Sequence, residues 1–435
     1  MKIYTEKKRS LFTNKNYIRY QREGLEEMLD NKDKKLLVTM RNVDISYGTG
    51  TKSFKAVRDL NLNIYQGEVL GLVGESGSGK STTGKALVGL IPYSFGQIKL
   101  MDQTLPKKLS RGLKFGKKLE EYNKIVNFLV NKVQMIFQDP ANSLNPHRNV
   151  KDIVSEGLEN TKNAREIYIY NYDQETLKEL MVLIKEHNSH DKHLHSFDEI
   201  NHEIAIDDKT AFNVLYQTFF EHLQNENYSY LSEFLKTKLE QRLEIEKYTE
   251  KDCKEKLVVE MLKQVGLDES VLRRYPLEFS GGQQQRIGIS RAVILRPLLL
   301  VADEPISALD VSIQAQVVNI FNELKEKYNL TILFIAHDLR MVEYISDRIA
   351  VMNKGTLLEV GSTEEIMQNP LHPYTKSLLE AVPSIESNKG SLIGYVYDPK
   401  MHDYSQEQPQ WIKDNENHFV LATHAEYKNW KNNKY

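Results

Sequence analysis

At 435 residues, with 58 Lys and Arg against 60 Asp and Glu, the chain has a formal charge of −2, which argues against bulk attraction to nucleic acid. Its single cysteine, Cys253, excludes an internal disulfide and any all-cysteine metal site, and it suits a reducing compartment. No apolar run is long enough to span a bilayer and the basic N-terminus lacks the apolar core of a secretory signal, so a soluble chain is expected, with any membrane role supplied by a partner.

Residues 1–35 read as a basic N-terminal extension. Within residues 1–22, seven Lys or Arg accompany one acid, Glu6, with Tyr4, Phe12, Tyr17 and Tyr20 interspersed. Such a segment is expected to be a solvated tail or a short helix packed on the domain, and its sharper alternative is rest on anionic lipid head groups. Strands are expected at Leu36–Met40, Val43–Tyr47 and Leu60–Tyr65, leading through the turn Gln66-Gly67. Tyr47 ends an edge-type strand upstream of the glycine-rich loop, where an aromatic ring can stack on adenine.

The apolar run Glu68–Val73 predicts a buried strand, and the helix formers of Lys80–Leu90 predict a helix. Between them, Gly74-x4-Gly79-Lys80-Ser81 is a P-loop. Its glycines let successive backbone N–H groups point at a phosphate chain, Lys80 brings a positive charge to the β- and γ-phosphates, and the Ser81 hydroxyl can ligate Mg²⁺. The helix N-terminus adds its positive dipole end at the same place. This strand–loop–helix context predicts a nucleoside-triphosphate site.

A further buried strand, Val133–Phe137, ends at Gln138-Asp139-Pro140, where a side-chain amide can ligate Mg²⁺ or position water. Residues 163–250 then change character, with 18 acids against 9 bases, a net −9 that leaves +7 on the rest of the chain. Leu177, Leu180, Met181 and Ile184 share one helical face, as do Phe212, Leu215, Tyr216 and Phe219, and Leu231, Phe234, Leu235 and Leu239 suggest another helix. The stretch reads as an acidic, mostly helical insertion with its own small core. His187, His190, His193, His195 and His202 crowd into it, but their spacing matches no metal-binding pattern, so a polar loop is the expectation.

Chemistry returns in the second half. Ser280 is a natural N-cap before an amphipathic helix reaching about Leu295, and Gly281 and Gly282 allow close backbone approach, so Phe279–Arg286 is a second anion-binding helix start. Leu298–Val301, Ala302, Asp303 and Glu304 read as a buried parallel strand delivering two carboxylates to its C-terminal edge. Asp303 suits Mg²⁺, and Glu304 suits polarisation of an attacking water. The strand Thr331–Ala336 ends at His337-Asp338, where an imidazole can contact a γ-phosphate.

In this set of motifs the chain resembles the ATPase subunits of ATP-binding cassette (ABC) transporters. Gly74–Ser81 is similar to the Walker A motif, Gln138 to the Q-loop, Ser280–Arg286 to the signature, Leu300–Glu304 to Walker B, Ser307–Asp310 to the D-loop and His337 to the H-loop, all in family order. Tyr47 takes the place of the adenine-stacking aromatic. The resemblance covers about residues 36–162 and 251–385 and implies an α/β P-loop NTPase. Its parts would be a RecA-like parallel-sheet core, an antiparallel β subdomain and an enlarged helical subdomain. The domain plan is then a nucleotide-binding domain at 36–385, interrupted by the insertion at 163–250 and followed by a C-terminal extension at 386–435.

The segments 72–77, 134–140, 275–283 and 303–316, with Asn369-Pro370-Leu371-His372-Pro373-Tyr374-Thr375 and Ala381-Val382-Pro383, resemble the oligopeptide-permease branch. Gln283 and Ser307 favour its second ATPase subunit. What the resemblance implies is ATP hydrolysis that powers an importer, with oligopeptide as the expected cargo. Dipeptide, nickel or oligosaccharide import, or a soluble ABC ATPase outside transport, are the alternatives. ATP contacts are expected at Tyr47, Gly74, Ser76, Gly77, Gly79, Lys80, Ser81, Thr82, Ser280, Gly281, Gly282 and Asp310, and Mg²⁺ at Ser81, Gln138 and Asp303. Catalytic roles fall to Glu304, His337 and Gln138. The partners would be a second ATPase of the first-subunit type, forming a heterodimer across two ATP molecules, two transmembrane permease subunits and an extracellular substrate-binding protein, with no nucleic acid. The location would be the cytoplasmic face of the cell membrane. Relatives with a C-terminal iron–sulfur cluster hold it with several cysteines, whereas Thr423 stands here where a cysteine would fall, so no cluster is expected.

Overall fold

Alternation of side chains builds the first part of the molecule. The computed structural model describes residues 2–9, 14–30, 34–48, 52–109, 112, 114–186, 214–220, 229–380 and 397–432. Strands β1 (Ile3–Arg9) and β2 (Asn14–Tyr20) pair as an antiparallel hairpin, so the tail or short helix expected at the N-terminus is corrected. The reason is a period of two that the basic composition masks. One face carries Tyr4, Glu6 and Arg19, and all three engage the neighbouring sheet. Arg19 donates to the Asn42 carbonyl at 2.8 Å and to Asp44 at 2.6 Å, and its guanidinium lies 4.5 Å over the Phe95 ring, against which Tyr4 packs edge-on. Glu6 accepts the Gly96 N–H at 3.0 Å.

Strand β3 (Leu36–Tyr47) runs unbroken through the two segments expected separately, and β4 (Phe54–Tyr65) starts before the expected Leu60. At Asn42 the register slips and φ is 54°, a bulge that breaks the apolar alternation; Asn61 Oδ1 accepts the Asn42 N–H at 2.9 Å. After β5 (Val69–Val73) and the helix Lys80–Leu87, β6 (Phe95–Leu100) and β7 (Gln103–Thr104) complete a four-stranded antiparallel sheet of order β4-β3-β6-β7.

The second sheet holds β5, β8 (Val133–Ile136), β9 (Leu299–Asp303), β10 (Thr331–Ala336), β11 (Arg348–Asn353), β12 (Thr356–Ser362), β13 (Gln410–Asn415) and β14 (His418–Ala422), in the order β13-β14-β12-β11-β5-β10-β9-β8. The run from β11 to β8 is parallel throughout. Every residue of β5, β9 and β10 is buried, which is why these strands read as continuous apolar runs. Parallel pairing brings the C-terminal ends of β5, β8, β9 and β10 to one edge, the usual ligand crevice of an open α/β sheet. The C-terminal segment joins this sheet directly, because β14 pairs with β12 at Glu359↔Val420.

Residues 146–276 form a separate compact unit, wider than the acidic stretch 163–250, while residues 1–145 and 277–435 form the other. Its helices are Val150–Thr161, Ala164–Glu186, Ser229–Ile245 and Glu250–Gln264, with a π-helical turn at Val214–Phe219. Leu177, Leu180, Ile184, Leu215, Tyr216, Leu231 and Leu235 are buried together, the faces expected from periodicity. Asp173, fully buried, accepts from Arg242 Nε at 3.0 Å on both oxygens and from the Tyr216 hydroxyl at 3.2 Å. The Glu250 carboxylate accepts the N–H groups of Ala164 and Arg165, at 2.7 and 3.1 Å, which closes the two ends of the acidic stretch on each other. Phe212 and the five clustered histidines lie outside the described residues. Among the described residues, no helix is long and apolar enough to cross a membrane.

Candidate active site

The loop after β5 depends on glycine where the backbone leaves the sheet. Gly74 has φ 154°, and a Cβ there would lie 2.0 Å from the Met352 carbonyl oxygen; Gly79 has φ 100°, with Ala56 O only 2.7 Å from any Cβ. Glu75, Ser76 and Gly77 form the exposed crest. Lys80 opens the following helix and is 3% exposed, with Nζ donating to the carbonyls of Gly74 at 2.6 Å and Glu75 at 2.9 Å. Burial lowers the Lys80 pKa, opposed by the negative charges of Glu304, Asp303 and Glu75. The balance leaves a desolvated cation facing acids, a charge poised to meet an anion.

Ser81 and Asp303 come together across the sheet, Oγ donating to Oδ1 at 2.7 Å. Glu304, one residue beyond β9, has φ 47°, uncommon for a residue with a Cβ, and its N–H donates to Ile335 O at 3.0 Å. That turn separates the two neighbouring carboxylates, so that Asp303 meets Ser81 while Glu304 meets another pair. Glu304 Oε2 accepts from Gln138 Nε2 at 3.0 Å and lies 3.7 Å from His337 Nδ1. Lys80, Ser81, Gln138, Asp303, Glu304 and His337 thus meet at the shared edge of β5, β8, β9 and β10. Tyr47 sits nearby, 45% exposed, with its hydroxyl 3.2 Å from Thr82 Oγ1. The exposed ring is free to stack and the helix start is free to donate.

A second group lies on the starts of two other helices. Ser280 caps Gly281–Val293 through a capping box with Gln283, and Asp310 precedes Val311–Tyr328 without a side-chain cap bond. A Cβ on Gly282 would stand 2.6 Å from Ile313 Cγ2, so the two helices approach closely here and a larger residue would push the Ile313 side chain aside. No hydrogen bond of Ser280, Gly281, Gly282 or Asp310 reaches the Lys80 cluster among the described residues.

The donor set suits Mg²⁺: the Ser81 hydroxyl, the Asp303 carboxylate and the Gln138 amide are all hard oxygen ligands. Among the described residues, no group of three or more His, Cys, Asp or Glu is arranged to hold a metal. A single carboxylate beside phosphate and water is the usual way Mg²⁺ is held in nucleotide sites. Tyr374 is a neighbour of the loop that no local pattern reveals. Its hydroxyl accepts the Glu75 N–H at 2.9 Å, and burial pushes its pKa up to about 12.

Known families and proteins match most of this chain. The family model described as ABC transporter matches residues 57–307, and the one described as oligopeptide/dipeptide transporter, C-terminal region, matches residues 358–404. The Streptococcus pyogenes serotype M1 protein named oligopeptide transport ATP-binding protein OppF is 39% identical over 398 residues, covering 91% of this chain and 98% of its own length. The Lactococcus lactis subsp. cremoris protein named dipeptide transport ATP-binding protein DppF is 38% identical over 403 residues, covering 92% of this chain and 98% of its own. Among solved structures, cbiO1 of Clostridium perfringens, part of the ABC transporter complex cbiONQ, aligns with a TM-score of 0.50 at 19% identity. That alignment covers 77% of this chain and 92% of the other, and it is a likeness of fold.

Proposed function

This chain belongs to the ABC transporter family, and we propose on that premise that it is the ATP-hydrolysing subunit that powers an importer of oligopeptides. The observation that carries the reading is the convergence of Lys80, Ser81, Asp303, Glu304, Gln138 and His337 at one sheet edge, in a chain 39% identical to an oligopeptide transport ATP-binding protein.

In this reading the N–H groups of the loop Gly74–Gly79, with Ser76 and Gly77 at its crest, cradle the phosphates. Lys80 exchanges its carbonyl partners for phosphate oxygens, Thr82 adds a hydroxyl, and Tyr47 stacks on the base. Ser81, Asp303 and Gln138 hold Mg²⁺, which when bound offsets the negative charge of the phosphates. Glu304 accepts a proton from the attacking water, Gln138 holds its carboxylate in place, and His337, 3.7 Å from that carboxylate, contacts the γ-phosphate. Ser280, Gly281, Gly282 and Asp310, at the starts of the helices Gly281–Val293 and Val311–Tyr328, would close over nucleotide bound by a second ATPase.

The assembly proposed is a heterodimer of this chain with a second ABC ATPase, bound to two transmembrane permease subunits at the cytoplasmic face of the membrane. An extracellular binding protein would deliver cargo. The 38% identity to a dipeptide transport protein makes dipeptides the second reading of the cargo. Co-purification from the native membrane, followed by reconstitution of the recovered complex in liposomes, tests the proposal. Peptide uptake that depends on ATP supports it, and recovery of this chain without any permease overturns it.

A further inference from the structure

The segment Leu371–Tyr374 and the strands β12 and β14 converge beneath the P-loop. Glu359 on β12 is fully buried, and its carboxylate accepts the N–H groups of Leu371 at 2.7 Å and His372 at 3.1 Å. The same carboxylate lies 2.7 Å from Nε2 of His418 on β14, which is also fully buried. His372 Nδ1 in turn accepts the Tyr374 N–H at 3.0 Å. The Tyr374 ring is held edge-on by Tyr397, with centroids 5.3 Å apart. Each of these contacts removes freedom from Tyr374, whose own exposure is 1%.

A side chain held so firmly ends on a single polar contact, the Glu75 N–H at 2.9 Å. Glu75 is the first residue after Gly74, where the loop departs from β5, and its carbonyl receives Lys80 Nζ. Its N–H shares a peptide plane with the Gly74 carbonyl, which also receives Lys80 Nζ, at 2.6 Å, so Tyr374 and Lys80 hold that plane from its two ends. Without the hydroxyl, the Gly74–Glu75 peptide plane loses the partner on its N–H side, and its rotation swings the Gly74 carbonyl that meets Lys80 and the amides that follow.

We propose that Tyr374 is a positioning residue of the ATP site, its hydroxyl fixing the Glu75 peptide so that the P-loop is held ready for phosphate. The segment matched by the oligopeptide/dipeptide C-terminal family model, residues 358–404, then contributes to nucleotide affinity through one hydrogen bond. The inference rests on the ATP-binding reading of the loop but not on its cargo or partners.

The test uses the full chain and two single variants. Tyr374→Phe keeps the ring and removes the hydroxyl. Tyr397→Phe disturbs the same cluster, where the Tyr397 hydroxyl lies 2.8 Å from His402 Nε2, without touching the P-loop. Backbone hydrogen exchange of the nucleotide-free chains reads the tether itself: the Glu75 amide should exchange at least about tenfold faster in Tyr374→Phe and at the parent rate in Tyr397→Phe. Calorimetric titration with the non-hydrolysable analogue AMP-PNP and Mg²⁺ should show affinity about fivefold weaker in Tyr374→Phe only, roughly 1 kcal/mol. Unchanged exchange at Glu75, or equal losses of affinity in both variants, overturns the proposal. A parent chain that binds no nucleotide overturns instead the ATP-binding reading on which it rests.

Discussion

The side-chain amide of Gln138 donates a 3.0 Å hydrogen bond to the carboxylate of Glu304, 166 residues further along the chain. The pair joins the end of β8 to the end of β9 and aims one Glu304 oxygen at a donor, leaving the other for water. Glu304→Gln preserves the shape of this contact, because an amide oxygen also accepts from Gln138, and removes only the basicity. ATP affinity should stay within about twofold while turnover of the complex falls at least about a hundredfold, as for loss of a general base. Phosphate release measured alongside nucleotide binding checks this. Turnover near that of the parent would remove Glu304 from the role of base.

The buried imidazole of His372 sets a pH dependence. Burial, with His402 beside it, holds its pKa well below the usual histidine value. The folded state therefore keeps the ring neutral where the unfolded chain, titrating at about 6.5, takes up a proton. Above that value both states are neutral and the group contributes nothing. Below it the unfolded state binds more protons, so stability falls as pH falls, by at most about 1.4 kcal/mol per pH unit. His372→Asn retains an acceptor for the Tyr374 N–H and cannot be protonated. Thermal melts between about pH 7 and 5 should show a shallower acid slope for the variant. Parallel slopes would remove His372 as a source of the dependence.

Thr423 is the N-cap of a helix. Its hydroxyl accepts the Glu426 N–H at 3.2 Å, and the Glu426 carboxylate returns to the Thr423 N–H at 2.8 Å, a capping box for the helix His424–Lys431. Cys253 lies in the 146–276 unit, buried, and burial raises its thiol pKa, so thiolate for iron is disfavoured. The chain purified without oxygen should contain no stoichiometric iron or acid-labile sulfide. Iron at one or more equivalents with cluster absorbance would contradict this.

Excision of residues 165–248 with a short flexible linker should leave nucleotide binding in place. The Glu250 carboxylate already holds Ala164 and Arg165, so the cut ends are neighbours, and the removed helices bury an apolar core of their own. Tyr47, the P-loop, Gln138, Asp303 and Glu304 all belong to the other compact unit. A shortened chain that folds yet loses more than about tenfold in ATP affinity, roughly 1.4 kcal/mol, would make the insertion part of the site. Coupled transport is the more sensitive readout, because the acidic surface goes with the deletion.

Much of the site is legible in local chemistry alone. Val69–Val73, Leu299–Asp303 and Thr331–Ala336 are short apolar runs that only burial on both faces explains, and each leads into a residue able to act on a phosphate. The spacing of Gly74, Gly79, Lys80 and Ser81 needs no tertiary information, since one turn of backbone and one helix start build the cradle. What tertiary structure alone decides is where residues far apart in the chain meet. The N-terminal hairpin is held by Arg19 on Asp44 and Phe95, and β13 and β14 extend a sheet begun more than three hundred residues earlier. The left-handed turn at Glu304 and the Tyr374 hydroxyl on the Glu75 N–H are of the same kind. Periodicity reports which face of an element is buried but not against what, because a hydrogen bond across 299 residues leaves no repeat in the chain between them.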